Sequence, residues 1–158
     1  LLIEKKNMKE KVKFYKRDLS KKKLVVGKFD IIICAGTIAC FEDIKLVLKN
    51  LTSNLKTKGQ LYIFSNLNIY DINVFTKYED INKKKGILQT GWNVWSVKAI
   101  KDHFKNIKKV KFFKFTSKIG RKQNKKDLMR SWTIKLNNKN HYTNGLNMIQ
   151  NQFLVKIS

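Results

Sequence analysis

The sequence contains no proline and only two cysteines, and its apolar runs are short. A bilayer crossing needs about 20 apolar residues, so the short runs exclude a membrane-spanning helix. The first residues are too charged for a secretory leader, which favours a cytoplasmic protein. Cys34 and Cys40 do not have the spacing of metal ligands, so we expect two small, buried or half-buried apolar side chains and no disulfide.

Acidic residues are few, because 35 Lys and Arg face 11 Asp and Glu and leave a net charge of +24. Such an excess attracts nucleic acids and anionic membranes. Arginine, which makes bidentate phosphate contacts, occurs only at Arg17, Arg121 and Arg130, while lysine is spread over every segment. We therefore expect the lysines to solvate the surface, and a DNA or RNA partner is possible but not favoured.

The seven glycines are scattered, and no G-x-G pair follows an apolar segment. This pattern excludes a phosphate-cradling loop. The order of Ser, His and Asp typical of a catalytic triad is missing, as is a His, Cys and carboxylate cluster for a metal, so cofactor-independent hydrolysis is disfavoured. A length of 158 residues with 42% hydrophobic residues predicts one globular domain over residues 1–158.

The first half of the chain predicts strands alternating with helices. "LLIEKKNMKEK" is typical of the tail of an amphipathic helix, and "VKFYKRD" predicts a short strand that ends at Asp18. "FDIIIC" is apolar at every position after its aspartate, which predicts an interior strand buried between two helical layers. Apolar residues from Ile44 to Leu55 then recur at helical spacing until a stop at Gly59, and "QLYIFSN" predicts the next strand in a parallel crossover.

The second half continues the pattern. "SVKAIKDHFKNI" predicts a helix with Ser96 as its cap, and "KKVKFFKFT" predicts another strand. Residues 117–128 are polar and basic and predict a solvated loop. "RSWTIKL" suggests an extra strand, and a turn at Asn144 and Gly145 precedes a final strand from Phe153 to Ile157.

The segments "FDIIICAG" and "NLKTKGQLYIFS" resemble the fourth strand, following helix and fifth strand of class I S-adenosylmethionine-dependent methyltransferases. Gln60 stands where the second glycine of the family's turn is common. The later segments "YDINVFTKYED", "GWNVWS", "RSWTIKL" and "TNGL" are similar to methyltransferases that modify small molecules or surface sugars. The resemblance implies an α/β fold with a three-layer, Rossmann-like sheet of strand order 3-2-1-4-5-7-6, mostly parallel with an antiparallel C-terminal strand.

The resemblance also implies a cofactor site for S-adenosylmethionine. In such sheets ligands bind outside the carboxyl ends of the strands, where small residues let the backbone approach closely. By this resemblance the turn Cys34, Ala35, Gly36 and Thr37 lines the methionine end of the cofactor. Asp18 matches the acid that accepts from the adenine amino group, with Leu19 beside the ring, although a cap or turn residue is the alternative for Asp18.

Substrate residues are expected after the fifth strand and near the C-terminus. Tyr70, Trp92 and Trp95 follow the fifth strand, where resembling proteins build substrate walls, although core aromatics are an equal alternative. Arg130, with Trp132 nearby, is a candidate to grip an anionic or sugar substrate. His141 is the candidate catalytic base, with an exposed turn residue as the alternative.

The family's glycine-rich turn and its ribose-binding acid are not found in the sequence. We therefore expect an N-terminally truncated domain, the carboxyl-terminal part of a longer enzyme, whose missing segment is a possible partner. The expected activity is methyl transfer to a small molecule or sugar, with inactivity of the chain alone. An RNA methyltransferase, an RNA-binding fragment and a non-catalytic remnant remain alternatives.

Overall fold

The computed structural model describes residues 13–21, 27–81, 86–106, 108–116 and 119–158. The helix predicted for residues 1–11 lies outside these ranges. The described residues form two helices, α1 (Ile44–Ser53) and α2 (Val97–Phe104), and a 3-10 turn at Ile38–Cys40. The strands are β1 (Phe29–Ala35), β2 (Leu55–Asn68), β3 (Lys77–Tyr78), β4 (Gln89–Thr90), β5 (Trp95–Ser96), β6 (Val110–Phe115), β7 (Trp132–Leu136), β8 (Lys139–Thr143) and β9 (Gln152–Ile157).

The main sheet has the order β1-β2-β9-β6, with β5 paired to the end of β2. Strands β1 and β2 are parallel, whereas β9 runs antiparallel to both β2 and β6. Strand β6 therefore points in the same direction as β2. This arrangement confirms the segment 4-5-7-6 of the strand order that the resemblance implied, including its antiparallel C-terminal strand.

Both helices of the described residues have an N-cap side chain that accepts a hydrogen bond from the first turn. The Asp43 carboxylate accepts a hydrogen bond from the Leu46 amide at 3.1 Å, and the Ser96 hydroxyl accepts one from the Ala99 amide at 3.0 Å. These bonds satisfy amides that have no partner in the first helical turn. The N-cap predicted at Ser96 is therefore confirmed.

The core lies between the two helices and one face of the main sheet. Its buried cluster joins apolar side chains of α1 and α2 to alternate residues of β2 and β9. The fully buried members are Val47, Leu48, Ile100, Leu61, Ile63, Leu67, Val155 and Ile157, with Ile38 of the 3-10 turn. The described residues therefore form one helical layer that packs against one face of the sheet. The second helical layer remains a prediction.

Strand β1 corrects the expectation of an interior strand. Ile31 is 59% exposed and Ile33 is 74% exposed, whereas Cys34 on the other face is buried. Only β2 pairs with β1 among the described residues, so β1 is an edge strand there. The apolar composition predicted the strand correctly, but the burial of both of its faces was wrong.

The exposed residues of β1 continue into an apolar surface across the sheet. The pairing register places Tyr62 and Phe64 of β2, Leu154 of β9, and Phe113 and Phe115 of β6 on the same face as Ile31 and Ile33. Ile31, Ile33, Phe113 and Phe115 are exposed. We call this surface the open face.

Two further segments differ from the sequence prediction. Residues 13–18 form no strand in the structure, so the strand predicted to end at Asp18 is wrong over its described part. Helix α1 ends at Ser53 with Asn54 as its C-cap, and Gly59 lies within β2 instead of stopping the helix.

Strands β7 and β8 form a hairpin separate from the main sheet. Its turn is made by Asn137 and Asn138, with φ angles of 47° and 60°, which are values that asparagine tolerates. Strand β7 confirms the extra strand predicted from "RSWTIKL". In the described residues, none of the helices is sufficiently long and apolar to span a membrane.

Candidate functional site

The small-residue turn lies at the carboxyl edge of the main sheet. Ala35 pairs with Phe64, and the Gly36 amide donates a hydrogen bond to the Phe64 carbonyl at 2.8 Å. Gly36 has a φ of 68°, a left-handed conformation that glycine adopts without strain, and no atom lies within 4 Å of where its Cβ would be. The turn therefore leaves open space at the edge where parallel sheets bind ligands.

A cavity of about 240 Å³ lies beside this turn, on the open-face side of the sheet. It is bounded by the carboxyl edge, by the segment before β5, by the β7–β8 hairpin and by the residues leading into β9. Its lining is formed by Gly36, Ala39, Phe64, Ser65, Asn66, Trp92, Phe115, Arg121, Ser131, Tyr142, Gln150 and Gln152. This lining contains one cation and no acidic side chain.

Trp92 forms one wall of the cavity in a strained backbone conformation. Its φ is 57°, which is unusual for a bulky residue and costs on the order of 1–3 kcal/mol. The next residue, Asn93, is almost fully buried, and its side chain and amide bond to the backbone of Phe41, Thr76 and Ala39, each at 2.8 Å. This anchoring holds the Trp92 backbone in its strained conformation and keeps Trp92 at the wall of the cavity.

The β7–β8 hairpin forms the opposite wall and positions Arg121. The Arg121 amide donates to the Thr133 hydroxyl at 2.9 Å, and the Thr133 amide donates to the Arg121 carbonyl at 2.9 Å. The Arg121 guanidinium carbon lies 5.3 Å from the centre of the Tyr142 ring, within cation–π distance. Tyr142 is buried, and its hydroxyl donates to the Ile119 carbonyl at 3.0 Å.

Amide side chains complete the polar lining. The Gln150 Oε1 atom accepts hydrogen bonds from the Ser131 hydroxyl at 2.8 Å and from Gln152 Nε2 at 3.1 Å. The Asn66 Oδ1 atom accepts from the Asn151 amide at 2.6 Å. In the described part of the chain, the side-chain nitrogens of Gln150 and Asn66 donate no hydrogen bond to a protein acceptor.

The thiol of Cys34 is buried at the end of β1 and does not line the cavity. Burial raises the pKa of Cys34 above its ordinary value, although a hydrogen bond with Thr37 partly opposes this effect. The Thr37 hydroxyl donates to the Ala35 carbonyl at 3.1 Å. Cys34 is therefore a neutral, packed thiol, whereas Cys40 is exposed, which corrects the expectation of two buried or half-buried cysteines.

Asp18 and Leu19 lie in a turn that is attached to helix α1. The Asp18 carboxylate accepts hydrogen bonds from the Ser20 hydroxyl at 2.6 Å and from the Ser20 amide at 2.8 Å, and these bonds lower the pKa of Asp18. Asn50 Nδ2 donates to the carbonyls of Leu19 and Lys21, both at 2.8 Å. These contacts are those of a turn residue, which is the alternative that the sequence left open for Asp18. The contact of Asp18 with adenine stays a prediction.

The cavity includes some predicted substrate residues and leaves others outside. Trp92 lines it, but Tyr70 is 68% exposed elsewhere, and Trp95 is a buried core residue whose indole donates to the Ile38 carbonyl at 3.2 Å. Arg130 is exposed and pairs with Asp127 at 3.8 Å. His141 lines a smaller adjoining cavity of about 90 Å³.

Arg121, Tyr142 and Gln150 were not predicted as site residues from the sequence. Arg121 stands in a lysine-rich loop that predicts only solvation, and Tyr142 lies on strand β8, which was not predicted. The scarcity of arginine was the single available signal for Arg121. That signal did not distinguish it from Arg17 or Arg130.

Comparison with known proteins identifies one family. A family model described as a methyltransferase domain matches residues 2–130, which is well over half of the chain. No match was found among curated proteins. The matched range includes the Gly36 turn, Trp92 and Arg121, and it ends before the β7–β8 hairpin.

Proposed function

Since the chain belongs to the methyltransferase domain family, we propose that it takes part in methyl transfer from S-adenosylmethionine to a small molecule or sugar. The observation that carries this proposal is the cavity beside the Gly36 turn at the carboxyl edge of the sheet. Its volume of about 240 Å³ is below the roughly 300–1,000 Å³ of pockets that enclose drug-sized ligands, which favours a small acceptor.

The described residues offer contacts to two parts of the cofactor, its methionine end and its adenine. Bound S-adenosylmethionine supplies an electrophilic methyl group on its sulfonium. The open space at Gly36 and the exposed Ala35 suit the close approach of the methionine end, and the Asp18 carboxylate is an acceptor suited to the adenine amino group. We propose these contacts together with those of Leu19, Cys34 and Thr37.

The ribose of the cofactor has no candidate residue, because the sequence contains neither the glycine-rich turn nor the ribose-binding acid of the family type. We propose that the chain is inactive by itself and that a segment outside these 158 residues completes the cofactor site. Among the strands that the structure describes, only β2 pairs with β1, which supports this proposal because a strand of that segment can pair with the other edge of β1.

The residues of this chain mainly orient the acceptor. Methyl transfer requires the accepting atom and the methyl group to be in line, so positioning supplies much of the rate. A base is required only when the accepting atom must lose a proton. His141 is the proposed base, since its smaller cavity shares Tyr142 and Gln150 with the larger one.

Calorimetric titration with S-adenosylmethionine tests the function. We expect no binding tighter than millimolar to the 158-residue chain. The product of the reading frame extended upstream of Leu1 should bind with micromolar affinity and methylate a small acceptor. Micromolar binding to the chain alone would contradict its inactivity, and absence of binding to both proteins would contradict methyl transfer. RNA retained at physiological ionic strength would favour the RNA alternative.

A further inference from the structure

We propose that the cavity beside Gly36 recognises an oxyanion, a carboxylate or phosphate, on a small ligand with a flat apolar body. The recognising residues are Arg121 and Gln150, and the walls are Trp92 and Tyr142. That this ligand is the methyl acceptor rests on the function proposed above. The binding chemistry itself rests only on the lining of the cavity.

Arg121 is arranged to bind an anion with the edge of its guanidinium. Its two backbone hydrogen bonds with Thr133 fix its position on the hairpin, and the Tyr142 ring lies 5.3 Å from its guanidinium carbon. A guanidinium that contacts a ring keeps its N–H groups available for a bidentate carboxylate or phosphate. No ion pair joins Arg121 to an acidic side chain among the described residues, whereas Arg130 on the same loop pairs with Asp127.

Gln150 supplies a second donor from a fixed position. Gln150 as a whole residue is 9% exposed, and its Oε1 atom accepts hydrogen bonds from Ser131 and Gln152. The Gln150 amide also donates to the Tyr142 carbonyl at 2.8 Å, which links this residue to the wall beneath Arg121. The Nε2 atom has no acceptor among the described residues, so it is a free donor at the wall of the cavity. A ligand oxygen would satisfy it.

The remaining lining selects against cations and against large ligands. None of the lining residues is acidic, so a ligand cation would find no counter-charge. Trp92, Phe64, Phe115 and Tyr142 provide apolar ring surfaces, and the Phe64 and Phe115 ring centres lie 5.3 Å apart. Rings around a narrow space favour a planar body with one charged end.

Three small probes test this inference on the 158-residue chain: benzoate, phenyl phosphate and the neutral isostere benzamide. Binding is followed by the shift of the Trp92 indole N–H resonance in ¹⁵N-labelled protein. We expect saturable shifts with benzoate, with phenyl phosphate or with both, and the stronger of the two identifies the preferred oxyanion. Benzamide should bind at least about tenfold more weakly, because it cannot form the charge-assisted pair.

Arg121→Gln should weaken binding of the anionic probe about tenfold and leave benzamide binding unchanged. Arg121→Lys should give an intermediate loss, since lysine keeps the charge but not the planar pair of donors. Arg130→Gln is the matched control, because it removes the same charge from the same loop outside the cavity. It should bind like the unaltered chain.

Equal losses in Arg121→Gln and Arg130→Gln would overturn the inference in favour of general charge attraction. Benzamide binding as tightly as benzoate, or no probe binding at all, would also overturn it. These measurements need no cofactor. Their failure would therefore leave the methyl-transfer proposal standing, and failure of the cofactor titration would leave the oxyanion site standing.

Discussion

Gly59 shows how a single residue determines the pairing of β1 with β2. A Cβ at this position would lie 2.8 Å from the Phe29 carbonyl oxygen and 3.1 Å from the backbone of Lys56. The strand register is irregular here, since Phe29 pairs with Leu55 but Ile31 pairs with Gln60. The extra residues of β2 fold closely against β1, and only glycine leaves room for this contact.

Gly59→Ala should therefore destabilise the fold by about 1–3 kcal/mol, because the obstructing atoms belong to the backbone and cannot rotate away. Urea unfolding followed by circular dichroism measures the change. Gly120→Ala is the control, since nothing lies within 4 Å of its Cβ position, and it should stay within about 0.5 kcal/mol of the unaltered chain. Equal unfolding midpoints for the two variants would show that the contact is not a constraint.

The sequence could not predict this role for Gly59. A glycine after a helical pattern with lysines near its end is typical of a helix stop. That interpretation was wrong, because Gly59 lies within the strand that follows the helix. Helix α1 ends earlier, where Asn54 takes the C-cap position. The difference arises because the space around Gly59 is closed by Phe29, a residue 30 positions earlier, and local spacing contains no information on such a contact.

At the scale of elements, β1 combines a buried and an exposed face in a strand whose sequence is apolar throughout. Ile63 of β2 is fully buried, whereas Ile33 of β1 is 74% exposed and belongs to the open face. An apolar edge strand with free backbone groups is a site for pairing with other chains. We therefore expect Ile63 to contribute to the stability of the fold and Ile33 to lower its solubility.

Ile33→Thr should change the free energy of unfolding by less than about 0.5 kcal/mol and should reduce self-association measured by light scattering. Ile63→Thr is the matched change in the core and should cost more than about 2 kcal/mol, because it buries a hydroxyl in an apolar cluster. A large destabilisation by Ile33→Thr would mean that the open face is covered in solution.

Elements marked by a cap residue and by regular spacing of apolar residues could be predicted from the sequence. Helix α2 follows from the Ser96 cap and the spacing of Ile100 and Phe104, and both residues are buried as expected. Strand β8 was not predicted, because "KNHYT" is short and polar and its turn uses two asparagines instead of Asn-Gly. The Asn144 and Gly145 signal instead marks a turn in which the Gly145 amide donates to the Leu128 carbonyl at 2.7 Å.

At the scale of the molecule, the sheet order could be predicted and the cavity could not. The order of β1, β2, β9 and β6 followed from the resemblance of two short segments to a family. The cavity combines residues from Gly36 to Gln152, which only the folded chain brings together. The sequence therefore predicts a ligand site at the carboxyl edge of the sheet, whereas the contribution of the β7–β8 hairpin to the cavity is visible only in the structure.

The net charge of +24 also acts on the whole molecule. The ion pairs found among the described residues join exposed side chains, such as Lys56 with Asp30 at 2.8 Å and Lys98 with Asp102 at 3.4 Å. Pairs between exposed side chains contribute little to stability, because water and salt screen their attraction. Repulsion among the excess lysines disfavours the compact state and is screened by salt. We therefore expect repulsion among the lysines to outweigh the attraction within the ion pairs. Added salt should then stabilise the fold.

We expect the urea midpoint to rise when sodium chloride is increased from about 0.02 M to about 0.3 M, since the screening length falls from about 20 Å to roughly 6 Å. Replacing the exposed residues Lys122 and Lys125 by glutamate removes part of the excess charge from one loop, so this variant should gain less from salt. Exchanging Lys122 and Lys125 for arginine is the control, because it keeps the charge and should keep the full gain. A midpoint that falls with salt in the unaltered chain would show that the attractive ion pairs prevail over lysine repulsion.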